Sequence, residues 1–280
     1  AKQRIVAAAT RLLHVAARRM PVVILCDDLH WADDASLDLF EGLLARGEEL
    51  PLLVVCSARP ELFERRPGAG EAGENHERID LLPLARRHIE EMIRDHLQRL
   101  PSPPPDLVRV LADRAEGVPL TLVETLHLLV DDGVIGATDG DVWAFHAGRM
   151  GALALPATVQ GIVQARLDRL DPAARSVLGC AAVVGRTFWQ GAVEDLWCSD
   201  PNLGSRAEVA PILARLRARQ LVRPREPSSL SGERELVFAE SATLEVAYEM
   251  PGARVRRSLH LRVAEWLAPR TTSRAGAAEG

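Results

Sequence analysis

The chain has 280 residues, of which 47% are hydrophobic and 26% are charged, and its formal net charge is −5. This length suits one large domain or two to three small ones, with the composition of a globular protein. This negative net charge excludes a basic surface over the whole molecule, which is a feature of many nucleic-acid-binding domains. The longest apolar runs are far shorter than the ~20 residues needed to span a bilayer, so we expect no membrane partner.

The four cysteines, Cys26, Cys56, Cys180 and Cys198, show no CxxC spacing. Cys26 and Cys56 lie inside apolar runs, where a free thiol behaves as a small hydrophobic side chain. Their spacing indicates neither a disulfide framework nor a zinc site, so we expect a reducing, cytoplasmic location.

The first predicted elements have the pattern of an α/β domain. An amphipathic helix over residues 2–19 precedes an apolar strand, Val22–Cys26, which ends on two carboxylates. After a second helix comes another apolar strand over residues 52–57, and Ile79–Leu82 is predicted as a third. Apolar strands separated by amphipathic helices predict a parallel sheet that is covered on both faces.

From residue 86 the pattern becomes helical, with helices predicted over 86–100 and 106–115. Between the second of these and a further helix, Gly117-Val118-Pro119 forms a turn. Its proline stands at a helix start, where the missing N–H costs nothing. Val134–Phe145 is predicted as a β-hairpin with Asp139-Gly140 as its turn.

A third region opens near residue 155 with several more helices, and Asp171 is predicted to cap one of them. The loop Pro224–Gly232 has the composition of a wing tip, and Leu236–Phe238 is predicted as the strand that returns from it. The last helix is predicted over 254–267, and the Ala/Gly/Thr-rich tail from residue 269 is predicted to be disordered.

The feature that carries chemistry is the pair of acids, Asp27 and Asp28, at the end of the first strand. P-loop ATPases hold magnesium at such a strand end, and magnesium needs only one or two protein carboxylates because it keeps several waters. Asp27 would accept hydrogen bonds from the magnesium-bound waters, and Asp28 would polarise the water that attacks the γ-phosphate. The alternative is a strand that ends in a solvated turn with no catalytic role.

The run from Asp27 to Leu37, DDLHWADDASL, resembles the extended Walker B segment of the STAND class of P-loop signal-transduction ATPases. More narrowly, it resembles predicted ATPases fused to bacterial serine/threonine kinases, adenylate cyclases or helix-turn-helix regulators. The resemblance implies an α/β part followed by a mainly α part. Its implied domains are the C-terminal part of a P-loop NTPase sheet over 1–84, a helical lid with a hairpin over 85–150, a winged-helix-like domain over 151–268 and a disordered tail over 269–280.

The resemblance also implies site residues, with ATP and Mg²⁺ as cofactors. Arg59 follows the second strand, where this class places an arginine that senses the γ-phosphate, and a guanidinium can bond a phosphate bidentately. Gly117 and Pro119 match the Gly-x-Pro motif of the lid, whose proline approaches the nucleotide. Without the resemblance, Arg59 is a surface arginine before a proline turn, and Gly117-Val118-Pro119 is an ordinary helix-start turn.

The sequence departs from the family pattern at two places. It contains no GxxxxGK[ST] phosphate loop, and the Gly-rich stretch Gly68–Gly73 lacks the lysine. We therefore expect the phosphate loop upstream of Ala1, and we expect residues 1–280 alone to hydrolyse ATP negligibly. Relatives usually carry a histidine where this chain has Glu240. An acid does not favour a nearby phosphate, so this departure argues against direct contact between the winged helix and nucleotide.

The last 80 residues are basic, with 13 Arg or Lys and 9 Asp or Glu, a balance of +4. A winged helix with such arginines could bind DNA. The alternative is solvated helix faces with arginines paired to Glu226, Glu245 and Glu265. We expect no DNA contact through this segment, because in this family the winged helix acts mainly as a moving lid.

The leading hypothesis is an ATP-binding and ATP-hydrolysing switch module of a multidomain bacterial signalling protein. Its partners would be an attached effector domain or a partner protein, with oligomerisation that depends on nucleotide as a further possibility. The alternatives are a non-catalytic nucleotide-binding scaffold, which Glu240 favours, and a DNA-binding transcription regulator that acts through the winged helix.

Overall fold

The computed structural model describes residues 2–44, 51–69, 76–138, 142–151, 155–199 and 204–276. The chain divides into two compact units, residues 1–81 and residues 82–280. The fold is mixed α/β with mostly helices. Its elements in chain order are α1 (Lys2–Arg19), β1 (Val22–Cys26), a 3₁₀ turn (Leu29–Trp31), α2 (Asp34–Leu44), β2 (Leu52–Cys56), α3 (Glu61–Arg65), α4 (Arg86–His96), α5 (Pro105–Ala115), α6 (Pro119–Asp131), β3 (Ile135–Ala137), β4 (Trp143–Phe145), α7 (Ala147–Met150), α8 (Val159–Asp168), α9 (Pro172–Val184), β5 (Thr187–Trp189), α10 (Gln190–Trp197), α11 (Arg206–Ala218), β6 (Val222–Arg225), β7 (Glu235–Phe238), α12 (Ser241–Glu249) and α13 (Ala253–Gly276).

In the first unit, the two predicted strands β1 and β2 pair in parallel, which confirms that part of the prediction. The register runs from Val22 opposite Leu52 to Cys26 opposite Cys56, so both strands end at the same edge. Helix α2 lies between the two strands in the chain, as a parallel connection requires. Beside this edge, Leu37 of α2 packs with Leu62 of α3 in a small buried cluster.

One face of this sheet is open to solvent. Val23, Leu25, Leu53 and Val55 alternate along β1 and β2, and their exposed fractions lie between 48% and 75%. The expectation of a sheet covered on both faces is therefore not met in the part of the chain that the structure describes. Continuous apolar strands predict burial of both faces, but the burial itself depends on which other segments pack there.

The predicted third strand, Ile79–Leu82, is wrong. These residues form an irregular segment without strand pairing among the described residues, and the side chains of Ile79, Leu81 and Leu82 are 72%, 92% and 82% exposed. The apolar pattern is the one a strand would have. A strand also needs a neighbour for its backbone N–H and C=O groups, which a sequence pattern does not reveal.

The first half of the second unit packs α4, α5 and α6 with the β3–β4 hairpin. Ile89, Leu107, Leu122 and Ile135 are among its buried core residues. Helix α4 ends at His96, four residues before the predicted end, and the chain continues in turns. The antiparallel pairing of β3 and β4 confirms the predicted hairpin, but its predicted turn at Asp139-Gly140 lies outside the described residues.

The second half of this unit packs α8–α13 around a three-stranded antiparallel sheet with the order β5-β7-β6. The predicted returning strand is part of β7 and pairs with β6 across the predicted wing loop. Phe188, Trp197 and Phe238 are fully buried in the common core. Asp171 caps α9 as predicted, because its Oδ1 accepts the Ala174 N–H at 2.8 Å.

Helix α13 extends to Gly276, beyond the predicted end at residue 267 and into the predicted disordered tail. Pro269 lies inside it and removes one backbone hydrogen bond, but the alanine, threonine and arginine residues around it still form helix. Residues 277–280 lie outside the described residues. No helix in the described ranges is both long and apolar enough to cross a membrane.

Candidate functional site at the ends of two parallel strands

The two acids at the end of β1 are hydrogen-bonded to Ser57, the residue that follows β2. The Ser57 hydroxyl donates to Asp27 Oδ1 at 2.5 Å and accepts the Asp28 N–H at 3.0 Å. In the backbone, the Ser57 N–H donates to the Cys26 carbonyl, and the Leu29 N–H donates to the Ser57 carbonyl, both at 2.8 Å. These hydrogen bonds tie the ends of both strands together and orient the Asp27 carboxylate.

Asp28 adopts a left-handed backbone conformation, with φ 56° and ψ 41°. Aspartate tolerates this region better than most residues because its short side chain can form local hydrogen bonds. The turn leads from β1 into the 3₁₀ turn. Asp33 caps the start of α2, because its Oδ1 accepts the Ser36 N–H at 2.7 Å.

Arg59 lies three residues after the end of β2 and is half-buried. Its carbonyl accepts the Leu62 N–H at 3.1 Å, so the residue begins the turn into α3. Because β1 and β2 are parallel and in register, Asp27, Asp28 and Arg59 all follow strands that end at one edge of the sheet. In α/β proteins this carboxyl edge is the usual position of the ligand.

The donor atoms at this edge are compatible with a magnesium ion that keeps most of its water. Asp27 is exposed at the strand end and supplies carboxylate oxygens, the ligands that Mg²⁺ prefers. Among the residues that the structure describes, no three His, Cys, Asp or Glu side chains are grouped as a metal cage. One or two carboxylates plus water are what nucleotide-bound magnesium uses, so Asp27 fits this group.

Gly117 and Pro119 lie in the second unit, at the turn between α5 and α6. Helix α5 ends at Ala115, its C-cap residue Glu116 is left-handed with φ 46°, and Gly117 follows with φ 81°. Pro119 is the first residue of α6, where the sequence placed it. Gly117 is buried against residues 83–84, and its carbonyl accepts the Leu84 N–H at 2.8 Å.

Replacing Gly117 by alanine is expected to destabilise the second unit. A Cβ atom at this position would lie 2.6 Å from the Leu84 carbonyl oxygen and 2.7 Å from Pro83 Cβ, and its backbone would be left-handed. Together these effects should cost about 1–3 kcal/mol, measured as the change in free energy of unfolding. Gly252→Ala is the matched control, because nothing lies within 4 Å of its added Cβ. Equal stability of the two variants would contradict this account of Gly117.

Glu240, where the family resemblance led us to expect a histidine, is the N-cap residue of α12 and lines a cavity of about 540 Å³ in the second unit. Glu124, His127, Arg217 and Arg223 also line this cavity. Burial, followed by the negative charge of Glu124, raises the pKa of the Glu240 carboxyl, although the charge of Arg223 opposes this. Ionised Glu240 makes this cavity less favourable for a phosphate.

A buried arginine network is a feature that sequence reasoning missed. It comprises Arg166 of α8, Glu124 and Asp131 of α6, and the Arg219 carbonyl after α11. The Arg166 guanidinium donates to Glu124 Oε2 at 2.5 Å, to Asp131 Oδ2 at 3.1 Å and to the Arg219 carbonyl at 2.8 Å. The side chains of Arg166 and Glu124 are each only 2% exposed. The sequence contains one sign of this burial. Arg166 follows the buried Ile162 by four residues, so the two lie on the same face of α8.

Several arginines of the basic C-terminal region make contacts within the unit, although with partners other than those expected. Arg215 bonds Asp171 at 2.7 Å, Arg225 lies 3.4 Å from Glu235, and Arg256 bonds Glu249 at 2.8 Å. In addition, Arg223 donates to the Ala239 carbonyl. These contacts favour the interpretation that the arginines stabilise the folded surface over the interpretation that they bind DNA.

Comparison with known proteins supports the resemblance stated from the sequence. The family described as "AAA ATPase domain" matches residues 1–55, a range that includes β1 and the acidic pair and ends within β2. No protein with a curated description is matched by the sequence.

The solved structures that match this chain include the following two. One is a STAND protein with a tetratricopeptide repeat sensor from Pyrococcus horikoshii, at 14% identity and a TM-score of 0.54, over 93% of this chain and 32% of that one. The other is the Aeropyrum pernix ORC1 protein in complex with DNA, at 16% identity over 84% of this chain and 65% of that one, but its TM-score of 0.33 is too low to support a conclusion.

The chain thus spans about a third of the length of the Pyrococcus protein and shares its fold over that part. Together with the family match, this confirms the predicted resemblance to STAND-class P-loop ATPases. The fusion to a kinase, cyclase or helix-turn-helix regulator stays a prediction.

Proposed function

We propose that this chain is part of an ATP-binding and ATP-hydrolysing switch module of a multidomain signalling protein. The observation that carries the proposal is the strand-end arrangement of Asp27, Asp28 and Ser57, which lies at the carboxyl edge of a parallel sheet. Both acids fall within the residues that match an AAA ATPase domain.

In this proposal each predicted site residue has one task. Asp27 binds the water shell of the metal, and Asp28 accepts a hydrogen bond from the attacking water and polarises it. Arg59 donates to the γ-phosphate. The magnesium ion bound with ATP supplies neutralising charge for the phosphate oxygens. Gly117 and Pro119 would approach the nucleotide from the helical lid.

For the rest of the chain we propose the domains implied by the resemblance: a core over 1–84, a lid over 85–150 and a winged-helix-like domain over 151–268. The antiparallel sheet β5-β7-β6 with its surrounding helices supports the last of these. The buried arginine network joins α6 of the proposed lid to α8 of the proposed winged helix. A movement of α6 that follows nucleotide exchange would therefore be passed directly to α8 and to an attached effector.

The second candidate is a non-catalytic nucleotide-binding scaffold. Glu240 favours it, because an acid replaces the family histidine and lines the cavity beside Glu124. Nucleotide would then bind without turnover. A DNA-binding regulator finds less support, since Arg215, Arg225 and Arg256 already contact acidic residues of the same unit.

The proposal is tested by titrating a fluorescent ATP analogue into the full-length protein with and without Mg²⁺. We expect saturable binding that Mg²⁺ strengthens. In Asp27→Asn, the factor by which Mg²⁺ strengthens ATP binding should fall about 10-fold or more, because the substitution removes the charged oxygen donor. Absence of nucleotide binding by the wild type would contradict both the switch and the scaffold.

A further inference from the structure

The hydroxyl of Ser57 connects the two acids of the proposed site. It donates to Asp27 Oδ1 at 2.5 Å and accepts the Asp28 N–H at 3.0 Å, so one oxygen atom uses both its donor and an acceptor position. The short distance is typical of a hydroxyl that donates to an ionised carboxylate. The rotamer of Asp27 is thereby coupled to the backbone of Asp28.

The second contact acts on the unusual backbone conformation of Asp28. Asp28 is left-handed, with φ 56°, and this region costs more for a residue with a Cβ than for glycine. The Ser57 hydroxyl and the Ser57 carbonyl bond the N–H groups of Asp28 and Leu29. Removal of the hydroxyl would release one of these two constraints and leave the other in place.

We propose that Ser57 is a positioning residue that holds Asp27 toward the metal and Asp28 toward the attacking water. The inference rests on the proposed function, since it assigns Ser57 a role at that same site. Ser57 is exposed at the end of the sheet, so its loss leaves no buried polar group without a partner. Its main effect is therefore on the orientation of the acids and not on folding.

The first measurement is the binding of Mn²⁺ with ATP to the full-length protein. The electron paramagnetic resonance signal of free Mn²⁺ reports how much of the metal remains unbound. Ser57→Ala should raise the Mn²⁺ concentration for half-saturation about 10-fold, as loss of groups that orient metal ligands does. Ser57→Thr keeps the hydroxyl and should stay within about twofold of the wild type. Ser36→Ala makes the same change in α2 and should bind Mn²⁺ as the wild type does.

The second measurement separates positioning from stability. At saturating ATP and Mg²⁺, Ser57→Ala should lower kcat about 10-fold, because the loss concerns the orientation of the reacting groups. In the same variant the Asp28 amide should exchange with solvent faster. Unchanged Mn²⁺ affinity in Ser57→Ala, or failure of Ser57→Thr to restore it, would overturn the role of Ser57.

Failure of the proposed function would look different. In that case the wild type would not bind Mn²⁺ with ATP, whatever residue stands at position 57. If only the Asp28 amide exchange changes in Ser57→Ala while Mn²⁺ binding and kcat do not, Ser57 merely supports the turn and the positioning role is overturned.

Discussion

Asp28→Asn is expected to lower ATP turnover by the full-length protein at least about 100-fold, the effect of removing a group that assists proton transfer. Asparagine has nearly the same shape and can still occupy the turn, where Asp28 is left-handed with φ 56°. It cannot accept a proton or polarise water as a carboxylate does. Phosphate release by the purified variant, compared with the wild type at saturating ATP and Mg²⁺, measures the effect.

Binding of ATP by Asp28→Asn should change less than about threefold, since the lost interaction belongs to the transition state. Asp34→Asn is the matched control, because Asp34 is an exposed acid in α2 of the same unit. It should retain wild-type turnover. Turnover by Asp28→Asn that equals the wild-type rate would remove Asp28 from the catalytic role.

The second large effect is expected at the buried arginine network. Arg166→Met keeps most of the apolar stem but leaves the Glu124 carboxylate buried without its cation, and breaking such a pair costs about 3–5 kcal/mol. The free energy of unfolding of the purified chain measures the loss. Arg169→Met is the control, because the Arg169–Asp132 pair is partly exposed and should contribute about 1 kcal/mol or less.

The double variant Glu124→Leu/Arg166→Met should recover most of the lost stability, since no unpaired buried carboxylate remains at position 124. A double variant as unstable as Arg166→Met alone would show that the Glu124 charge is not the cause.

The destabilisation by Arg166→Met should depend on pH. Burial opposes ionisation of Glu124, but the hydrogen bond from His127 and the charge of Arg166 outweigh it, so its pKa lies below the ordinary value of 4.5. The pair therefore stabilises the fold fully above pH 4.5, and this contribution is lost as the pH falls through the lowered pKa. The difference in free energy of unfolding between the wild type and Arg166→Met should therefore become smaller over that acid range, because a protonated Glu124 needs no cation.

The parts of the fold that local pattern controls could be predicted from the sequence. The apolar runs of β1 and β2, the proline at the start of α6 and the cap at Asp171 all fall where the sequence placed them. Each depends on residues that are neighbours in the chain. Ile79–Leu82 is also mostly apolar, but whether it forms a strand depends on whether another strand lies beside it.

The candidate site could be predicted only in part for the same reason. Asp27 and Asp28 are visible as acids that end a strand, whereas the bond from Ser57 depends on the register that sets Cys26 opposite Cys56. A shift of one residue would place a different side chain beside Asp27. Arg166 resembles a surface charge until α6 is known to pack over it with Glu124.

The most direct test of the central claim is magnesium-dependent phosphate release, measured side by side on the full-length protein and on residues 1–280. The account predicts steady ATP hydrolysis by the full-length protein that requires Mg²⁺ and Asp28, and negligible hydrolysis by residues 1–280, which contain no GxxxxGK[ST] loop. A full-length protein that binds ATP with Mg²⁺ but releases no phosphate would contradict the claim of an ATPase switch and favour the scaffold.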